Sequence, residues 1–316
     1  MNSKISLICT VYNEEKTIFA LLESIKNQKR IPDEVVMVDA GSIDKTSSII
    51  REFANKLPIK LIISPGANIA TGRNAAIKNT RYDIIASIDG GCTADENWLQ
   101  NIIKPIESGN ADVVSGVYAP LIETEFEEIV SYMIFPNNEK LDSNFNPSSR
   151  SIAYTKNAWD AVGGYPEWLM TAEDTLFDLN LRKSGFRISL AKDAIVFWRI
   201  RENRKKLFKQ YFGYAKGDGM ELLSLKSYSI RYIGFIIALA SVGLFWSYPY
   251  FWLFAIPVSF SGICLKHVRK VKKLTAKRTF VALTVALTIE SAVFVGYIKG
   301  NFQRFLKSNS NKKPSS

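Results

Sequence analysis

The sequence predicts an α/β fold with a Rossmann-like, doubly wound and mostly parallel sheet, followed by C-terminal transmembrane helices. In the first third of the chain, short β-branched apolar runs alternate with helical patterns, as in sheets with right-handed crossovers. In the last third, long apolar runs carry no charge. The two regions therefore suit two different surroundings, water and a lipid bilayer.

The strands and helices follow each other in a regular order at first. Four strands are predicted, at Ile5–Thr10, Glu34–Asp39, Lys60–Ser64 and Ile84–Asp89, with helices between them around Ile18–Ile25, Ile49–Phe53 and Ala70–Lys78. Later elements are a helix over Asp95–Ser108, strands at Val113–Val117 and Ser151–Tyr154, a short helix at Lys156–Val162 and a helix from Glu173 to about Ser184. The segment Leu121–Ser149 shows no clear period, and we expect it to form part of a binding wall.

Polar and acidic residues follow three of the predicted strands, where ligands of such sheets bind. They lie in Thr10-Val-Tyr-Asn-Glu14, in Asp39-Ala-Gly-Ser-Ile-Asp44 and in Asp89-Gly-Gly91. A further acidic pair, Glu173-Asp174, begins a helix. Helix capping by Ser42 or Asp44 and a favourable helix-dipole position for Glu173-Asp174 are the alternative interpretations.

The residue inventory excludes several kinds of site. The chain has 316 residues, a net charge of +11, three cysteines without paired spacing and a single histidine, His267. A disulfide framework, a His-based metal site and a Ser-His-Asp triad are therefore not expected, so any metal must use oxygen ligands. No nucleic-acid-binding motif accompanies the basic charge.

The predicted domain boundaries follow the change in composition. They are residues 1–200 for the α/β domain, 201–229 for a basic interfacial segment, 230–300 for a membrane domain with helices at 230–246, 248–265 and 280–298, and 301–316 for a polar tail. The start of the chain lacks an apolar signal-peptide run, and Lys266–Arg278 suits the cytoplasmic side. We therefore expect a multi-pass cell-membrane protein with a cytoplasmic N-terminal domain. Incomplete crossing by the third segment is the alternative.

The motifs together resemble those of family 2 glycosyltransferases, over about residues 4 to 215. The resemblance rests on Thr10–Glu14, Val38–Thr46, Arg73-Asn74, Asp89, Gly163–Glu167 and Glu173-Asp174, in that order. The basic stretch that ends near Tyr214, and the apolar segments after it, are similar to the membrane-bound branch that builds exopolysaccharides or lipid-linked glycans. The resemblance implies a GT-A-like fold and an inverting, hexosyltransferase-like enzyme.

The resemblance also implies a donor site for a nucleotide-diphosphate sugar. Its residues would be Thr10, Tyr12, Glu14, Asp39, Asp44, Arg73 and Asp89. Asp89 stands where the family has an acidic motif that binds a divalent metal, Mg²⁺ or Mn²⁺. The second aspartate of that motif is replaced by Gly91, which puts metal dependence in question. Asp95 or Glu96 is a candidate replacement.

The acidic pair is expected to perform the chemistry on the acceptor side. Asp174, with Glu173 beside it, is the candidate base that takes a proton from the acceptor hydroxyl. Gln210 and Tyr214 would lie at a membrane entrance near a lipid-linked or polyprenyl-phosphate acceptor. The alternative is that Tyr211, Phe212 and Tyr214 form an aromatic belt at the interface. The processive Gln, Arg and Trp signature is absent, so one sugar is expected per transfer. A non-catalytic membrane protein that binds nucleotide sugars is the alternative.

Overall fold

The computed structural model describes residues 3–142, 145–233, 236 and 265–310. The chain divides into two compact units, the first formed by Met1–Leu121 and Phe135–Arg199, the second by Ile122–Ile134 and Ile200–Ser316. The first unit contains an eight-stranded sheet within the described part of the chain.

The sheet of the first unit has the strand order β3-β2-β1-β4-β7-β6-β8-β5. Its strands are β1 (Ile5–Val11), β2 (Glu34–Asp39), β3 (Ile59–Ile63), β4 (Ile84–Ser87), β5 (Cys92–Ala94), β6 (Val113–Leu121), β7 (Ile152–Thr155) and β8 (Ile188–Arg199). Strands β1, β2, β3 and β4 pair in parallel, whereas β7 is antiparallel to both β4 and β6. The sheet is therefore mixed, with a parallel half at its N-terminal side.

Residues of β1 alternate between two hydrophobic cores, one on each face of the sheet. Leu7 and Cys9 pack into a core with the helices on one face, and Ile8 packs into a second core on the other. All three side chains are buried. A strand covered on both faces needs an almost continuous apolar sequence, which is the pattern that identifies β1 as a strand.

The helices lie between the strands in the order that the sequence predicts. They are α1 (Ile18–Lys26), α2 (Thr46–Phe53), α3 (Ile69–Lys78), α4 (Trp98–Glu107), α5 (Glu125–Ile134), α6 (Lys156–Ala161), α7 (Glu173–Lys183), α8 (Arg204–Glu221) and α9 (Ala276–Ser310), with a 3₁₀ turn at Asn138–Lys140. The predicted α/β fold class is confirmed. Most of the predicted elements agree with the observed ones within a few residues.

Two strands, β5 and β8, and two helices, α5 and α8, are absent from the sequence prediction. The segment Leu121–Ser149 is expected to lack regular structure, but α5 lies within it and belongs to the second unit. In that unit, Glu125 and Glu128 of α5 form ion pairs with Lys277 and Arg278 of α9, at 3.0 and 2.9 Å. The expectation of a single irregular wall is therefore wrong for this part of the segment.

In the second unit, α8 and α9 approach each other until their backbones touch. A Cβ on Gly219 of α8 would lie 2.4 Å from the carbonyl oxygen of Tyr297, and one on Gly300 of α9 would lie 2.1 Å from that of Lys216. Only glycine fits at such distances, as in the close helix packing found between membrane helices. Glu290 of α9 is buried and pairs with Arg231 and His267, each at 2.9 Å.

Helix α9 contains the third predicted membrane segment, 280–298, and continues to Ser310, into the predicted polar tail. Among the described residues, one helix is long and apolar enough to cross a membrane, over Ala276–Ser308, with a mean hydropathy of 1.9 in its most apolar stretch. The other two predicted segments, 230–246 and 248–265, lie outside the described residues, except for 230–233, 236 and 265.

Candidate active site

The loops after β1 and β2 are joined to each other by a set of hydrogen bonds. The backbone N–H of Asn13 donates to the Ser42 hydroxyl at 2.9 Å, and the N–H of Glu14 donates to the Thr46 hydroxyl at 2.8 Å. In return, the N–H of Ile43 donates to the Asn13 side-chain oxygen at 3.0 Å. The two loops, from neighbouring parallel strands, therefore form one continuous edge at the C-terminal ends of the strands.

Two acidic residues of these loops form hydrogen bonds within this edge. Asp39 is fully buried and accepts from the N–H groups of Gly41 and Ser42, at 3.0 and 2.7 Å, and from the Ser47 hydroxyl. Asp44 accepts from the N–H groups of Thr46 and Glu15, at 3.0 and 3.1 Å. Burial alone would raise the pKa of Asp39, but these donors lower it, so its carboxylate is ionised. Both residues therefore shape the loops.

Arg73 of α3 joins two acidic residues from distant parts of the chain. Its two terminal nitrogens donate to Asp89, after β4, and to Glu173, at the start of α7, each at 2.7 Å. The guanidinium is buried and lies 5.3 Å from the centre of the Tyr165 ring. Burial would lower the pKa of Arg73, but the two carboxylates raise it, so the group stays charged. Arg73 therefore joins α3, the loop after β4 and the start of α7.

The acidic pair at the start of α7 is divided between a buried and a partly exposed carboxylate. Glu173 is 5 % exposed and directed towards Arg73, whereas Asp174 is partly exposed and accepts from the Thr175 N–H at 2.8 Å. Ala172, before them, has a φ of 65°, which is strained for a residue with a side chain. Burial, and then the charge of Asp174, raise the pKa of Glu173.

The turn before α7 is attached to α3 through a buried asparagine. The Asn74 side chain accepts from the Tyr165 N–H at 2.9 Å and donates to the Tyr165 carbonyl at 2.8 Å and to Glu167 at 2.9 Å. Gly164 has a φ of 74°, and a Cβ there would lie 2.8 Å from the Asn74 oxygen. The Gly163–Glu167 motif is therefore the contact that aligns α7 with α3.

Comparisons with known proteins show which proteins this chain is similar to. Residues 6–159 match the model of glycosyl transferase family 2. The chain is a glycosyltransferase that contains a family 2 domain over these residues. It is 28% identical over 246 residues to glycosyltransferase AglE of Haloferax volcanii, covering 74% of this chain and 79% of that protein.

Two further comparisons cover nearly the whole glycosyltransferase chain. The dolichyl N-acetyl-alpha-D-glucosaminyl phosphate 3-beta-D-2,3-diacetamido-2,3-dideoxy-beta-D-glucuronosyltransferase of Methanococcus voltae is 24% identical over 324 residues, 94% of this chain and 98% of that one. Mannosyltransferase PcManGT from Pyrobaculum calidifontis, solved with GDP-Man and Mn²⁺, has a TM-score of 0.62 at 16% identity and covers 96% of this chain and 88% of that one. The solved structure confirms the GT-A-like fold.

The predicted residues of the glycosyltransferase site divide into two groups. In the first unit, the structure brings Arg73, Asp89 and Glu173 into direct contact, with Asp174 next to them. Thr10 lies near the end of β1 beside α3, and Tyr12, in the following loop, is 58% exposed. The other two, Gln210 and Tyr214, belong to α8 in the second unit, where the Gln210 amide donates to the Tyr214 hydroxyl at 2.9 Å.

Arg150 is a residue of the site that the sequence patterns did not reveal. Its Nε lies 3.8 Å from Asp89 Oδ2, and its guanidinium lies 4.4 Å from the centre of the Trp198 ring on β8. A guanidinium stacked on an aromatic face keeps its donors in a fixed plane, which suits phosphate oxygens. The sequence signal is a single basic residue shortly before β7, and β8 itself was not predicted.

Asp178 of α7 leads to a prediction for the pH dependence of stability in this glycosyltransferase. It is 1% exposed, and neither carboxylate oxygen has a hydrogen-bond partner among the described residues. Burial and then the charges of Asp174 and Glu173 raise its pKa, although Arg182 and Arg73 oppose them. The folded state thus retains a proton that the unfolded state releases above about pH 4. Stability therefore falls as pH rises from the pKa of Asp178 in the unfolded state to its higher pKa in the folded state.

We expect Asp178→Asn to remove this slope. Relative to the variant, the parent should lose up to about 1.4 kcal/mol per pH unit within that pH range. Thermal unfolding measured from pH 4 to pH 8 checks the difference between the two slopes. Parallel curves for parent and variant would show that Asp178 does not carry a raised pKa.

Proposed function

We propose that the enzyme transfers one sugar, with inversion, from a nucleotide-diphosphate sugar to a lipid-linked acceptor, with Asp174 as the base. The observation that supports it most is the contact of Arg73 with both Asp89 and Glu173. Asp174, the residue after Glu173, is a partly exposed carboxylate and would lie beside the residues that receive the donor. A base close to the donor site suits a single displacement.

The donor would lie along the edge formed by the loops after β1 and β2. Thr10, Tyr12, Glu14, Asp39 and Asp44 would surround the nucleoside, in part through backbone groups, because the carboxylates of Asp39 and Asp44 already accept several hydrogen bonds. Arg73 and Arg150 add positive charge where the diphosphate would lie. The relative solved with GDP-Man supports a nucleotide-sugar donor.

The residues at Asp89 fit a divalent cation that arrives with the nucleotide. One carboxylate oxygen of Asp89 accepts a hydrogen bond from Arg73, and the Asp89 side chain is 30% exposed. The carboxylate can therefore bind further partners. No cluster of three or more His, Cys, Asp or Glu that could bind a metal is found in the described part of the chain. Mg²⁺ commonly uses one or two carboxylates plus substrate phosphates, so such a cluster is not required. The cation would offset charge on the leaving diphosphate.

The chemistry on the acceptor needs one proton transfer and one displacement. Asp174 takes the proton of the acceptor hydroxyl, and the freed oxygen attacks the anomeric carbon from the side opposite the diphosphate. The bond from that carbon to the diphosphate oxygen breaks as the new glycosidic bond forms. No second carboxylate is needed as a nucleophile, in contrast to retaining glycosidases. Glu173, bonded to Arg73, positions Asp174.

A lipid-linked acceptor is supported by the relative from Methanococcus voltae, whose name specifies a dolichyl phosphate-linked sugar as the acceptor. Helix α9 is long and apolar enough to cross a membrane, and its basic flank agrees with membrane attachment. We propose the domain limits 1–200, 201–229, 230–300 and 301–316, a multi-pass cell-membrane location with residues 1–200 in the cytoplasm, and an acceptor contact through Gln210 and Tyr214. Membrane lipid would then be a direct partner.

The test is release of nucleoside diphosphate by the full chain in native lipid extract. A panel of UDP-, GDP- and dTDP-sugars would be compared with Mg²⁺, with Mn²⁺ and with chelator. We expect turnover with one donor, dependent on added lipid extract. Nucleotide-sugar binding without turnover for any donor would instead support a non-catalytic binding protein.

Trp168 provides a prediction about the acceptor side. It is 58% exposed in the loop just before α7, and Met170 in the same loop is 64% exposed. An exposed aromatic face six residues before Asp174 in the chain suits the apolar face of an acceptor sugar. We expect Trp168→Ala to raise the acceptor KM about 10-fold, with the donor KM unchanged, because one stacking contact amounts to about 1 kcal/mol or more. Equal changes in both KM values would contradict this role.

A further inference from the structure

The two glycines after Asp89 differ in what surrounds them. A Cβ on Gly90 would lie 3.0 Å from Val11 Cγ1 and 3.2 Å from the Thr10 carbonyl oxygen, so β1 leaves no room for a side chain. A Cβ on Gly91 would meet only the two carboxylate oxygens of Glu14, at 3.8 and 3.9 Å. Gly91 therefore faces open space that already contains a carboxylate.

Glu14 is fixed in this position by hydrogen bonds to its own loop and to the first residues of α1 and α2. Its N–H donates to the Thr46 hydroxyl at 2.8 Å, and its carbonyl accepts from the N–H of Ile18 at 2.8 Å, at the start of α1. The Thr17 hydroxyl donates to its side-chain oxygen Oε2. The carboxylate is therefore oriented by a neutral donor, and a group held in this way is prepared to bind a cation.

The charges of Asp89 and Glu14 act on the same neighbour. Burial raises the pKa of the Cys92 thiol most, and the negative charges of Asp89 and Glu14 raise it further, whereas Arg150 lowers it. Cys9 of β1 is affected by the same two carboxylates. The geometry agrees, because the Cys92 N–H donates to the Asp89 carbonyl oxygen at 3.1 Å and the Glu14 carboxylate lies beside Gly91, the residue before Cys92.

We propose that Glu14 supplies the second carboxylate of the divalent-cation site, in place of the side chain that Gly91 lacks. This inference rests on the proposed nucleotide-sugar function and assigns one more ligand to the cation of that site. Asp89 and Glu14, from the loops after two adjacent parallel strands, would each give one oxygen, and the diphosphate would complete the set with water.

The alternative carboxylates nearby have other roles. Asp95 accepts from the N–H of Asn97 at 3.0 Å, just before α4. Glu96 is exposed and pairs with Lys29 at 2.8 Å. Neither observation places a carboxylate at Gly91, so the structure favours Glu14 over the candidates suggested by sequence proximity.

The test measures Mn²⁺ binding by electron paramagnetic resonance on the full chain in lipid or detergent. The probes are Mn²⁺ alone, Mn²⁺ with UDP and Mn²⁺ with GDP. We expect the parent to bind Mn²⁺ much more tightly with one nucleotide than alone, and Glu14→Gln to weaken that binding at least about 10-fold. Glu96→Gln is the matched control and should bind as the parent does.

A rescue variant separates cation binding from a contact between Glu14 and the nucleotide base. Gly91→Asp in the Glu14→Gln background restores a second carboxylate at the same place, so Mn²⁺ affinity should return to within a few-fold of the parent. Gly91 has no positive φ that would prevent this substitution. A contact between Glu14 and the nucleotide base would not be restored in this double variant, since the new carboxylate starts from a different loop.

Three results of the binding measurement would overturn the inference: no Mn²⁺ binding by the parent with either nucleotide, parent-like binding by Glu14→Gln, or loss of binding that Gly91→Asp does not restore. None of these readouts needs turnover. A parent that binds Mn²⁺ through Glu14 but transfers no sugar would overturn the proposed function and leave this inference standing. Turnover that is unaffected by chelator would overturn this inference and leave the proposed function standing.

Discussion

Asp174→Asn is expected to reduce turnover by about 10²- to 10⁴-fold and to leave nucleotide binding unchanged. Asparagine keeps the shape of the side chain and can still accept from the Thr175 N–H, so the start of α7 should be preserved. It cannot take a proton from an acceptor hydroxyl. The loss would therefore appear in kcat, while the KM for the donor and the affinity for the free nucleoside diphosphate stay close to the parent's.

The measurement is nucleoside diphosphate release together with calorimetric titration of the nucleotide. Asp160→Asn makes the same chemical change at an exposed position on α6 and should retain full activity. Glu173→Gln gives a second comparison. If Asp174→Asn remained active and Glu173→Gln did not, the base would be the buried residue of the pair, and the assignment would be wrong.

The parallel half of the fold was predictable because β1, β2 and β4 are buried on both faces. Such strands have almost continuous apolar sequences, and their period is easy to separate from that of the helices. Strand β8 was missed since its burial alternates irregularly and Lys192-Asp193 interrupts it. Short β5 has only three residues, too few for any period. β5 pairs with β8, and β8 pairs along most of its length with β6, and these are long-range contacts that no local pattern reports.

The sequence predicts which loops form the candidate site, but it does not predict which side chains contact each other there. The rule that ligands bind at the C-terminal ends of parallel strands selected the segments around Thr10, Asp39 and Asp89. It did not indicate that the Asp39 carboxylate is used within its own loop, or that Arg150 stacks on Trp198 beside Asp89. Such contacts depend on side-chain directions from several elements, which a linear sequence does not contain.

The same is true of Glu290 in the second unit. A carboxylate in an apolar helix must face polar partners, because burying an unpaired charge is costly. The partners, Arg231 and His267, lie far from it in the chain, and only the fold of the second unit brings them to Glu290.

Arg73→Ala is expected to be the most destabilising single change in the first unit, by about 3–5 kcal/mol. Removing the guanidinium leaves Glu173 and Asp89 without the cation to which both are bonded at 2.7 Å, and Glu173 is almost completely buried. The pKa of Glu173, already raised by burial, would rise further without Arg73. Thermal unfolding of the full chain at neutral pH measures this loss.

Arg187 provides the matched control for this prediction. It also binds a carboxylate through two nitrogens, that of Asp112, at 2.9 and 3.0 Å, but its side chain is 58% exposed. We therefore expect Arg187→Ala to cost at most about 1 kcal/mol. Arg73→Lys should stay well below the parent, because a single ammonium replaces a fork that reaches two partners.

Neutralising the partners tests whether charge is the cause. Arg73→Met combined with Glu173→Gln should recover part of the stability that Arg73→Met loses, since the buried carboxylate is then removed as well. Activity should not return in the double variant, because Asp174 would lose the neighbour that positions it and the diphosphate would lose a cation. If the double variant were no more stable than Arg73→Met alone, Arg73 would act mainly by packing against Tyr165, and the ion pairs would be secondary.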